Sequence, residues 1–543
     1  PVMAHFLAVA DVELEQKDIS FAGRILQEFS EYLEPDQVIP DDMDTLAYMV
    51  ETPLANIIKL PNASATTNQL VKAVKELQAA GFKLPDYPEL PRDEKERKIR
   101  SRYDALTGSV VNPVLRKGNA VRSIPPAVKE ASRRDPHAMG EWKKESRTYV
   151  AHMEDDDFYA TEQSSEITAG ASGAMRVEYV GEDGSVKVLK SGLDVSEGDI
   201  VDAAVLKRQA LKAFLADVFE TSKRDDLLAS LHLKATMMKK TDGIAFGEAV
   251  AAYFKTVFDA HEEEFDRLGV NPNNGLSDLR HKIQLLDDDE RREIEEEIKD
   301  CLESGAPLAM ANVKDDVTHL DAPNVVIMDV SMANLARWGG QLQDKGGQYR
   351  DTMAIIPDST YARMHQSGIE YLKAHGTPDP ATMGSVTTVR LQAGGAEEYG
   401  SKETTFEAPG KGLIRLVSEN GDILHTHNVE KGDIWRLCRT KNEAIENWVK
   451  LALEQAAQHQ DDVIFWLDDN RAHDAQVIRK VNALLGHNAP DTVVIMTPEA
   501  AIQKTLARTM AGKNTVAVTG NLIGDHVTDY FPIMEIASSS KML

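Results

Sequence analysis

The segment VEYVGEDGSVKVL, residues 177–189, is echoed by IRLVSENGDILH at residues 414–425. The likeness continues in the same order, pairing VSEGDI (195–200) with VEKGDI (429–434), KRQALKAFL (207–215) with KNEAIENWVKLAL (441–453), and LHLK (231–234) with FWLD (465–468). Lys234 aligns with Asp468, and Gly198 with Gly432, both at a separation of 234 residues. A repeat at fixed spacing indicates that one structural unit occurs twice in the chain.

Each copy has the pattern of a small α/β unit. Two strands joined by an Asp-Gly or Asn-Gly turn predict a hairpin, and a helix and a buried strand that ends in a charged residue follow. An upstream Asp-Pro-x-x-Met-Gly motif also recurs, at 135–140 and 379–384. We therefore expect an α/β fold whose large domain is internally duplicated. In such a pseudo-dimer, a site shared between two subunits is built within one polypeptide.

The composition of the 543-residue chain excludes several classes of protein. A formal net charge of −27 argues against nucleic-acid binding. No apolar run approaches the ~20 residues needed to span a bilayer, and no basic flank precedes the apolar opening, so we predict neither a membrane segment nor a signal peptide. The only cysteines, Cys301 and Cys438, exclude a disulfide framework and indicate a reducing cytoplasm.

The order of elements predicts two domains. Residues 19–35 and 68–81 have apolar side chains at helical spacing and predict two helices. Between them, ANIIKLPNASA predicts a short buried strand ending at Asn62 and Ser64, where open α/β sheets bind ligands. The predicted domains are a small α/β domain (1–121), the duplicated large domain (122–537, with repeat units at about 135–260 and 379–490) and the start of a return to the small domain (538–543).

A pair of aspartates predicts a metal site. TVAVTGNLIGDHVTDYFPIME, residues 515–535, predicts a buried strand followed by a helix that carries Asp525 and Asp529 one turn apart. Like charges at that spacing repel each other, and no Lys or Arg occurs between Lys513 and Lys541. Positive charge must come from elsewhere, and paired carboxylates suit Mg²⁺ or Mn²⁺. The alternative is solvent exposure, with one aspartate capping the helix.

Three further residues are candidates for a site. VVIM, residues 325–328, predicts a strand buried on both faces, so that Asp329 either caps the next helix or belongs to a site. Lys234 interrupts an apolar run, where burial makes an amine usable for proton transfer; a lysine that reaches solvent from the strand end is the alternative. Tyr399 lies in the Gly-flanked turn AGGAEEYGS, which also suits an ordinary surface tyrosine.

The loop GSVVNPVLRKGNAVR, residues 108–122, predicts a carboxylate-binding site. It carries a hydroxyl, an amide and two arginines, namely Ser109, Asn112, Arg116 and Arg122. Arginine binds carboxylates through two parallel hydrogen bonds, to which the hydroxyl and amide can add.

Other familiar motifs are missing from the sequence. It has no G-x-G-x-x-G after a strand, no Walker A loop and no H-E-x-x-H. In RAHD, residues 471–474, the single histidine favours a structural role over metal binding.

Eight motifs, taken together and in order, resemble the monomeric isocitrate dehydrogenases of bacteria. They are KLPNASA, GSVVNPVLRKGN, PHAMGEW, SLHLKATMMK, AEEYGS, GDIWR, RAHDAQVI and TGNLIGDHVTDYFPIMEI, and the similarity runs from about residue 17 to the end. The internal repeat agrees with this, because the large domain of that family resembles both halves of a homodimeric isocitrate dehydrogenase fused together. The resemblance implies an isocitrate/isopropylmalate dehydrogenase-like fold and an NADP- and metal-dependent oxidative decarboxylation of isocitrate by a cytoplasmic monomer.

The resemblance also implies a role for each matching residue. The implied roles are divalent-metal binding for Asp329, Asp525 and Asp529; catalysis for Lys234 and Tyr399; isocitrate binding for Ser109, Asn112, Arg116 and Arg122; and cofactor binding for Lys59, Asn62 and Ser64.

Two features depart from the family pattern. Gly524 stands where the monomeric members have an arginine before the first metal-binding aspartate. The chain also stops before the Gly-rich segment that holds the NADP phosphates in that family, so we expect an incomplete small domain. Two alternative functions therefore stay open: a related β-decarboxylating 2-hydroxyacid dehydrogenase for another diacid, which Gly524 supports, and a non-catalytic binding protein that keeps the fold.

Overall fold

The structure, a computed structural model, divides into two compact units, Pro1–Lys117 and Gly118–Leu543. It describes residues 4, 7–49, 65–89, 91–108, 111, 118–235, 238–391, 404–459, 461–486 and 490–541. The sequence predicts the boundary at 121/122, but Ala120–Arg122 is a strand that pairs within the second unit, opposite Thr388–Arg390. Residues 538–541 also belong to the second unit. They follow a helix that ends at Ile536 and is capped by Ala537.

The first unit is helical where it is described. Its helices are α1 (Phe21–Glu28), α2 (Asp42–Met49), α3 (Thr67–Ala79) and α4 (Glu94–Ala105). Helices α1 and α3 occupy the two segments that the sequence predicts as helical, although α1 ends earlier, at the cap residue Phe29. The Phe29 ring stacks on Tyr103 with the ring centroids 4.0 Å apart. The strand predicted between α2 and α3 comprises residues 55–65, of which residues 55–64 lie outside the described residues.

The second unit holds all nineteen strands of the described residues. The strands are β1 (Ala120–Arg122), β2 (Tyr149–Ala151), β3 (Gln163–Glu166), β4 (Gly173–Gly181), β5 (Val186–Val195), β6 (Ile200–Leu206), β7 (Leu228–Leu231), β8 (Met310–Asn312), β9 (Val317–Thr318), β10 (Gln341–Gln343), β11 (Tyr349–Ile355), β12 (Val386–Arg390), β13 (Thr405–Glu407), β14 (Gly412–Val417), β15 (Ile423–Val429), β16 (Ile434–Thr440), β17 (Asp462–Trp466), β18 (Val493–Met496) and β19 (Thr515–Thr519). The helices are α5 (Pro126–Arg134), α6 (Phe158–Thr161), α7 (Arg208–Asp225), α8 (Asp242–Tyr253), α9 (Lys255–Ala260), α10 (Glu262–Leu268), α11 (Leu276–Lys282), α12 (Asp288–Ser304), α13 (Met328–Arg337), α14 (Ser359–His375), α15 (Asn442–His459), α16 (Ala472–Leu485), α17 (Pro498–Met510) and α18 (Asn521–Ile536).

The predicted duplication is confirmed element by element. Strand β6 and helix α7 recur as β16 and α15 with both ends of each element shifted by 234 residues. Strands β6 and β16 pair antiparallel, and Ala203 faces Leu437, which is its own counterpart in the repeat. Likewise β4 pairs with β14, where Glu178 faces its counterpart Arg415. A pseudo-twofold axis therefore passes through both sheets.

One of the two residue pairs on this axis, Glu178 and Arg415, carries opposite charges. Glu178 is 5% exposed, and its two oxygens bind Arg415 at 2.7 Å and Arg176 at 2.5 Å. In a homodimer, a residue on the twofold axis faces its own copy. An attractive pair such as Glu178–Arg415 requires that the two copies differ, as they can within one chain.

We expect this pair to couple the two halves energetically. Arg415→Met should lower the free energy of unfolding by about 1–3 kcal/mol, because it removes one of two cations from a buried carboxylate. Adding Glu178→Gln should recover part of that loss, since the carboxylate is then gone. A double-mutant cycle in urea measures the coupling. Additive effects of the two substitutions would show that the axis pair contributes nothing.

Parallel strands form the layers that carry the site. Strand β19 lies between β12 and β17, and β18 continues beyond β17, all parallel, with β1 antiparallel at the edge. In the other half, β2 and β7 run parallel beside β11. The carboxyl ends of parallel strands meet at one edge of a sheet, where open α/β folds bind ligands. No helix among the described residues is long and apolar enough to cross a membrane.

Candidate active site

Lys234 is the buried centre of the site. It follows β7, whose four residues are all buried, and its side chain is 2% exposed. The backbone N–H of Lys234 donates a hydrogen bond to Asp242 Oδ2, 2.8 Å away at the start of α8. The alternative of a strand-end lysine that reaches solvent is therefore wrong.

Two aspartates from distant segments meet at the Lys234 ammonium. Its Nζ lies 2.9 Å from Asp329 Oδ2 and also contacts Asp525 Oδ2. The other oxygen of Asp525, which is 1% exposed, contacts the guanidinium of Arg390. The positive charge that the sequence requires beside Asp525 thus includes two cations of the chain itself, 291 and 135 residues away along the chain.

Helix α18 holds Asp525 and Asp529 as the sequence predicts. The buried strand β19 ends at Thr519, and α18 begins at Asn521 with Gly520 as its cap. Asp525 is buried and Asp529 partly buried. Solvent exposure and helix capping are therefore both wrong as readings of Asp525, because it lies inside the helix and away from water.

The predicted strand before Asp329 is wrong. Residues Pro323–Val325 form a turn of 3₁₀ helix, and α13 begins at Met328, so that Asp329 lies in the first turn of a helix whose cap is Ile327. Only Ile327 makes a strand-like bridge, to Leu233. A short apolar run cannot by itself distinguish a strand from a buried helix start. An acid in the first turn is also favoured by the helix dipole.

The carboxylates of Asp329, Asp525 and Asp529 are chemically suitable ligands for a divalent metal ion. Among the described residues, no three His, Cys, Asp or Glu side chains form a ready-made ligand set, since the Lys234 ammonium stands between Asp329 and Asp525. Carboxylate oxygens are nevertheless the ligands that Mg²⁺ and Mn²⁺ prefer. An ion that takes these oxygens brings positive charge to the same two groups, and Asp529 lies one turn further along α18.

Three residues that sequence reasoning misses also form the site. Arg390 binds Asp525, and Asp242 fixes the Lys234 backbone. His526 follows Asp525 directly, and its Nδ1 lies 3.9 Å from Asp329 Oδ1. Burial and the neighbouring Lys234 lower the pKa of His526 to about 3, so its ring is neutral. The GDHVTD motif could have indicated His526, whereas Arg390 and Asp242 have no signal in the sequence.

Buried histidines predict loss of stability in mild acid. Burial lowers the pKa of His526 to about 3, and of His319 and His427 to about 4. The unfolded chain binds these protons near pH 6.5 but the folded chain does not, so stability is full above that pH and falls below it. At pH 5 each histidine costs about 2 kcal/mol. The raised pKa of buried Asp242, about 6, offsets part of this loss.

Urea unfolding at pH 7.5 and pH 5 measures the effect. Carboxylates with lowered pKa lose their contribution only below about pH 4, so they do not interfere in this range. His427→Gln should reduce the difference between the two pH values. Equal stability at both would contradict the prediction.

Some of the remaining residues singled out in the sequence are described by the structure, and the others are not. Arg122 is described and lies on β1 opposite Thr388 of β12, so it belongs to a strand and not to a loop. His473 is buried and binds Asp202 at 2.8 Å, which confirms a structural role. The other predicted residues, Lys59, Asn62, Ser64, Ser109, Asn112, Arg116 and Tyr399, lie outside the described residues.

Comparison with known proteins identifies the family. A family model described as monomeric isocitrate dehydrogenase matches residues 1–543. The chain belongs to that family. It is 44% identical over 547 residues to isocitrate dehydrogenase [NADP] of Azotobacter vinelandii, and the alignment covers 100% of this chain and 73% of that protein. Isocitrate dehydrogenase [NADP] 2 of Psychrobacter sp. (strain 13A) is 43% identical over 546 residues, covering 100% of this chain and 74% of that protein.

The same enzyme name recurs in Mycobacterium tuberculosis, where isocitrate dehydrogenase [NADP] 2 is 43% identical over 546 residues and covers 100% of this chain and 73% of that protein. A solved isocitrate dehydrogenase of Ostreococcus tauri, with isocitrate and magnesium(II), shares 10% identity over 28% of this chain and 42% of that chain, with a TM-score of 0.24 that carries no weight. These matches favour neither alternative function. The three curated matches span the whole of this chain and 73–74% of each relative's own length.

Proposed function

We propose that the chain catalyses the oxidative decarboxylation of isocitrate to 2-oxoglutarate and CO₂ with reduction of NADP, dependent on Mg²⁺ or Mn²⁺. The observation that carries this proposal is the buried Lys234 ammonium, bound by Asp329 and Asp525 from separate helices. The match of the whole chain to the monomeric isocitrate dehydrogenase family supports isocitrate as the substrate and NADP as the cofactor.

In the proposed reaction, Lys234 removes the proton of the 2-hydroxyl group of isocitrate. Asp329, Asp525 and Asp529 would hold the ion, which when bound polarises the 2-hydroxyl group and the neighbouring carboxylate of isocitrate. Lys234 would lose its proton to solvent and, as the neutral amine, would accept the proton of the substrate's 2-hydroxyl group as hydride passes to the nicotinamide.

The later steps and the binding contacts rest on the family resemblance. Tyr399 is proposed to protonate the carbon from which CO₂ leaves. Ser109, Asn112, Arg116 and Arg122 are proposed to hold the carboxylates of isocitrate, with the arginines fixing orientation. Lys59, Asn62 and Ser64 are proposed to line the cofactor cleft.

We infer that the enzyme is a monomer in the cytoplasm. The internal pairs Ala203–Leu437 and Glu178–Arg415 fill the twofold face within one chain, and a homodimer would need such a face free. Neither Cys301 nor Cys438 forms a disulfide, as expected in a reducing compartment. Sedimentation equilibrium tests the monomer directly.

A steady-state assay tests the proposed reaction. The chain is assayed with isocitrate, Mn²⁺ and NADP, beside NAD and isopropylmalate as competing cofactor and substrate. We expect NADPH formation with isocitrate, and its loss in Asp525→Asn, whereas Asp469→Asn at an exposed position should keep it. Turnover of isopropylmalate in preference to isocitrate, or no turnover of either, would overturn the proposal.

A further inference from the structure

Arg390 is a buried cation inside the proposed site. It is the last residue of β12 and is 5% exposed. Its Nη2 contacts Asp525 Oδ1, and Asn521 Oδ1 accepts hydrogen bonds from its Nε at 3.2 Å and its Nη2 at 2.8 Å. A buried guanidinium requires such partners, because an unpaired buried charge costs several kcal/mol.

Gly524 makes the room for Arg390. A Cβ added at Gly524 would lie 2.6 Å from Arg390 Cγ, 2.7 Å from its Cδ and 2.7 Å from Thr519 Oγ1. Gly524 lies inside α18 without a positive φ, so any residue could adopt its backbone conformation. Space for the arginine stem is therefore the reason that glycine fits this position.

The Arg390 guanidinium lies near the N-terminus of α18, which is an unfavourable place for a cation unless an anion is close by. Arg390 stands opposite Thr519 in the sheet, and its contact Asn521 is the first residue of α18. The N-terminus of a helix carries partial positive charge, which repels cations and attracts anions. Asp525 offsets this repulsion through one oxygen, while its other oxygen binds Lys234.

We propose that Arg390 is a substrate-positioning residue, which orients Asp525 in the ion-free site and binds a carboxylate of the substrate once Asp525 holds the ion. This inference rests on the proposed function. A divalent ion competes with the guanidinium for Asp525, and the N–H groups so released lie at the same carboxylate as Lys234. The planar guanidinium matches a carboxylate through two parallel hydrogen bonds.

Binding measured without turnover tests the role. Isocitrate is titrated calorimetrically into the Mn²⁺-loaded full chain in the absence of NADP, for wild type, Arg390→Gln and Arg390→Lys. We expect isocitrate affinity to fall about 30–300-fold in Arg390→Gln, the loss of a charge-assisted pair of about 2–3 kcal/mol. Arg390→Lys should recover only part of it. Mn²⁺ affinity without isocitrate should stay within about threefold of wild type or become tighter, because a competitor for Asp525 is removed.

A second variant and a control guard against misfolding. Gly524→Ala keeps the arginine but displaces its stem, so it should also weaken isocitrate binding. Arg508→Gln removes an arginine that binds Asp462 at 2.8 Å elsewhere in the unit, and it should leave both affinities unchanged. Unchanged isocitrate affinity in Arg390→Gln, or loss of Mn²⁺ binding together with it, would overturn the inference. A wild type that does not bind isocitrate would instead refute the proposed function.

Discussion

Lys234→Met is expected to lower kcat by about 10³-fold, within the range that a single proton-transferring group contributes. Methionine is unbranched and retains the apolar stem of lysine without the terminal amine, so the packing after β7 is retained. The substitution removes the ammonium that binds Asp329 and Asp525. Stopped-flow and steady-state assays with isocitrate, NADP and Mn²⁺ measure the loss.

The same variant should respond strongly to the metal ion. Without the ammonium, the partly buried Asp329 and the buried Asp525 keep their charges with less compensation. The ion-free variant should therefore be less stable than wild type, and Mn²⁺ should stabilise it more. Lys282→Met is the matched control, because Lys282 is a buried lysine that binds Asp278 at 3.0 Å away from the site. It should lose stability but keep kcat. A Lys234→Met variant with near-normal kcat would remove Lys234 from the chemistry.

The duplication places a counterpart of this site in the other half of the unit. Lys234 and Asp468 correspond, because the backbone N–H of each donates to an aspartate Oδ2 of the following segment, at 2.8 and 2.9 Å. Leu233 N–H donates to Val326 O, and Leu467 N–H to Met496 O, in the same way. This register pairs the second residue of α13, Asp329, with the second residue of α17, Glu499.

The counterpart is closed by the protein's own side chains. An aspartate replaces the lysine, and Tyr159 Oη donates to Asp468 Oδ2 at 2.7 Å. Arg363, from α14, and Glu499 line the same cavity, whose volume is about 10 Å³. Such a cavity holds about one water molecule. The cavity beside Asp468 therefore has no room for isocitrate, so only the Lys234 site is proposed to be catalytic.

Arg471→Met is expected to lower the free energy of unfolding by about 3–5 kcal/mol, the usual cost of breaking a buried ion pair. Arg471 also lines this cavity. Its side chain is 4% exposed, and it binds Glu162 at 3.1 Å and Asp474 at 3.3 Å. The substitution leaves both acids buried with one cation fewer. Urea unfolding measures the change.

An exposed arginine provides the control for this variant. Arg292, 66% exposed, binds Asp289 on the surface of α12 at 2.5 Å. Arg292→Met should cost less than about 1 kcal/mol, as exposed pairs do. The Arg471→Met protein that remains folded should bind Mn²⁺ normally. A decrease in the free energy of unfolding of Arg471→Met below about 1 kcal/mol would mean that the buried ion pairs of Arg471 do not stabilise the fold.

The sequence predicts the duplication well because the repeat preserves local patterns. The offset between Lys234 and Asp468 predicts the correspondence of β6 with β16, since strands and helices follow from short-range periodicity. Helix α18 follows in the same way, because a buried strand and a glycine precede it. The strand predicted before Asp329 is wrong because four apolar residues suit either a strand or a buried helix start.

The contacts of the site could be predicted only in part. The need for positive charge beside Asp525 follows from the sequence, but its source does not, because Lys234 is 291 residues away and Arg390 lies on another strand. Only packing brings these segments together. Gly524 is visible in the sequence as a departure from the family pattern, yet its effect becomes clear only when Arg390 is seen to fill the space beside it.

A Mn²⁺ titration followed by electron paramagnetic resonance shows whether Asp525 holds the divalent ion. Wild type, Asp525→Asn and Glu499→Gln are compared as full chains, since Glu499 is the counterpart of Asp329 at the cavity beside Asp468. We expect one tightly bound Mn²⁺ per chain in wild type and in Glu499→Gln, and none in Asp525→Asn. Normal binding in Asp525→Asn, or its loss in Glu499→Gln, would show that the ion does not bind at Asp525.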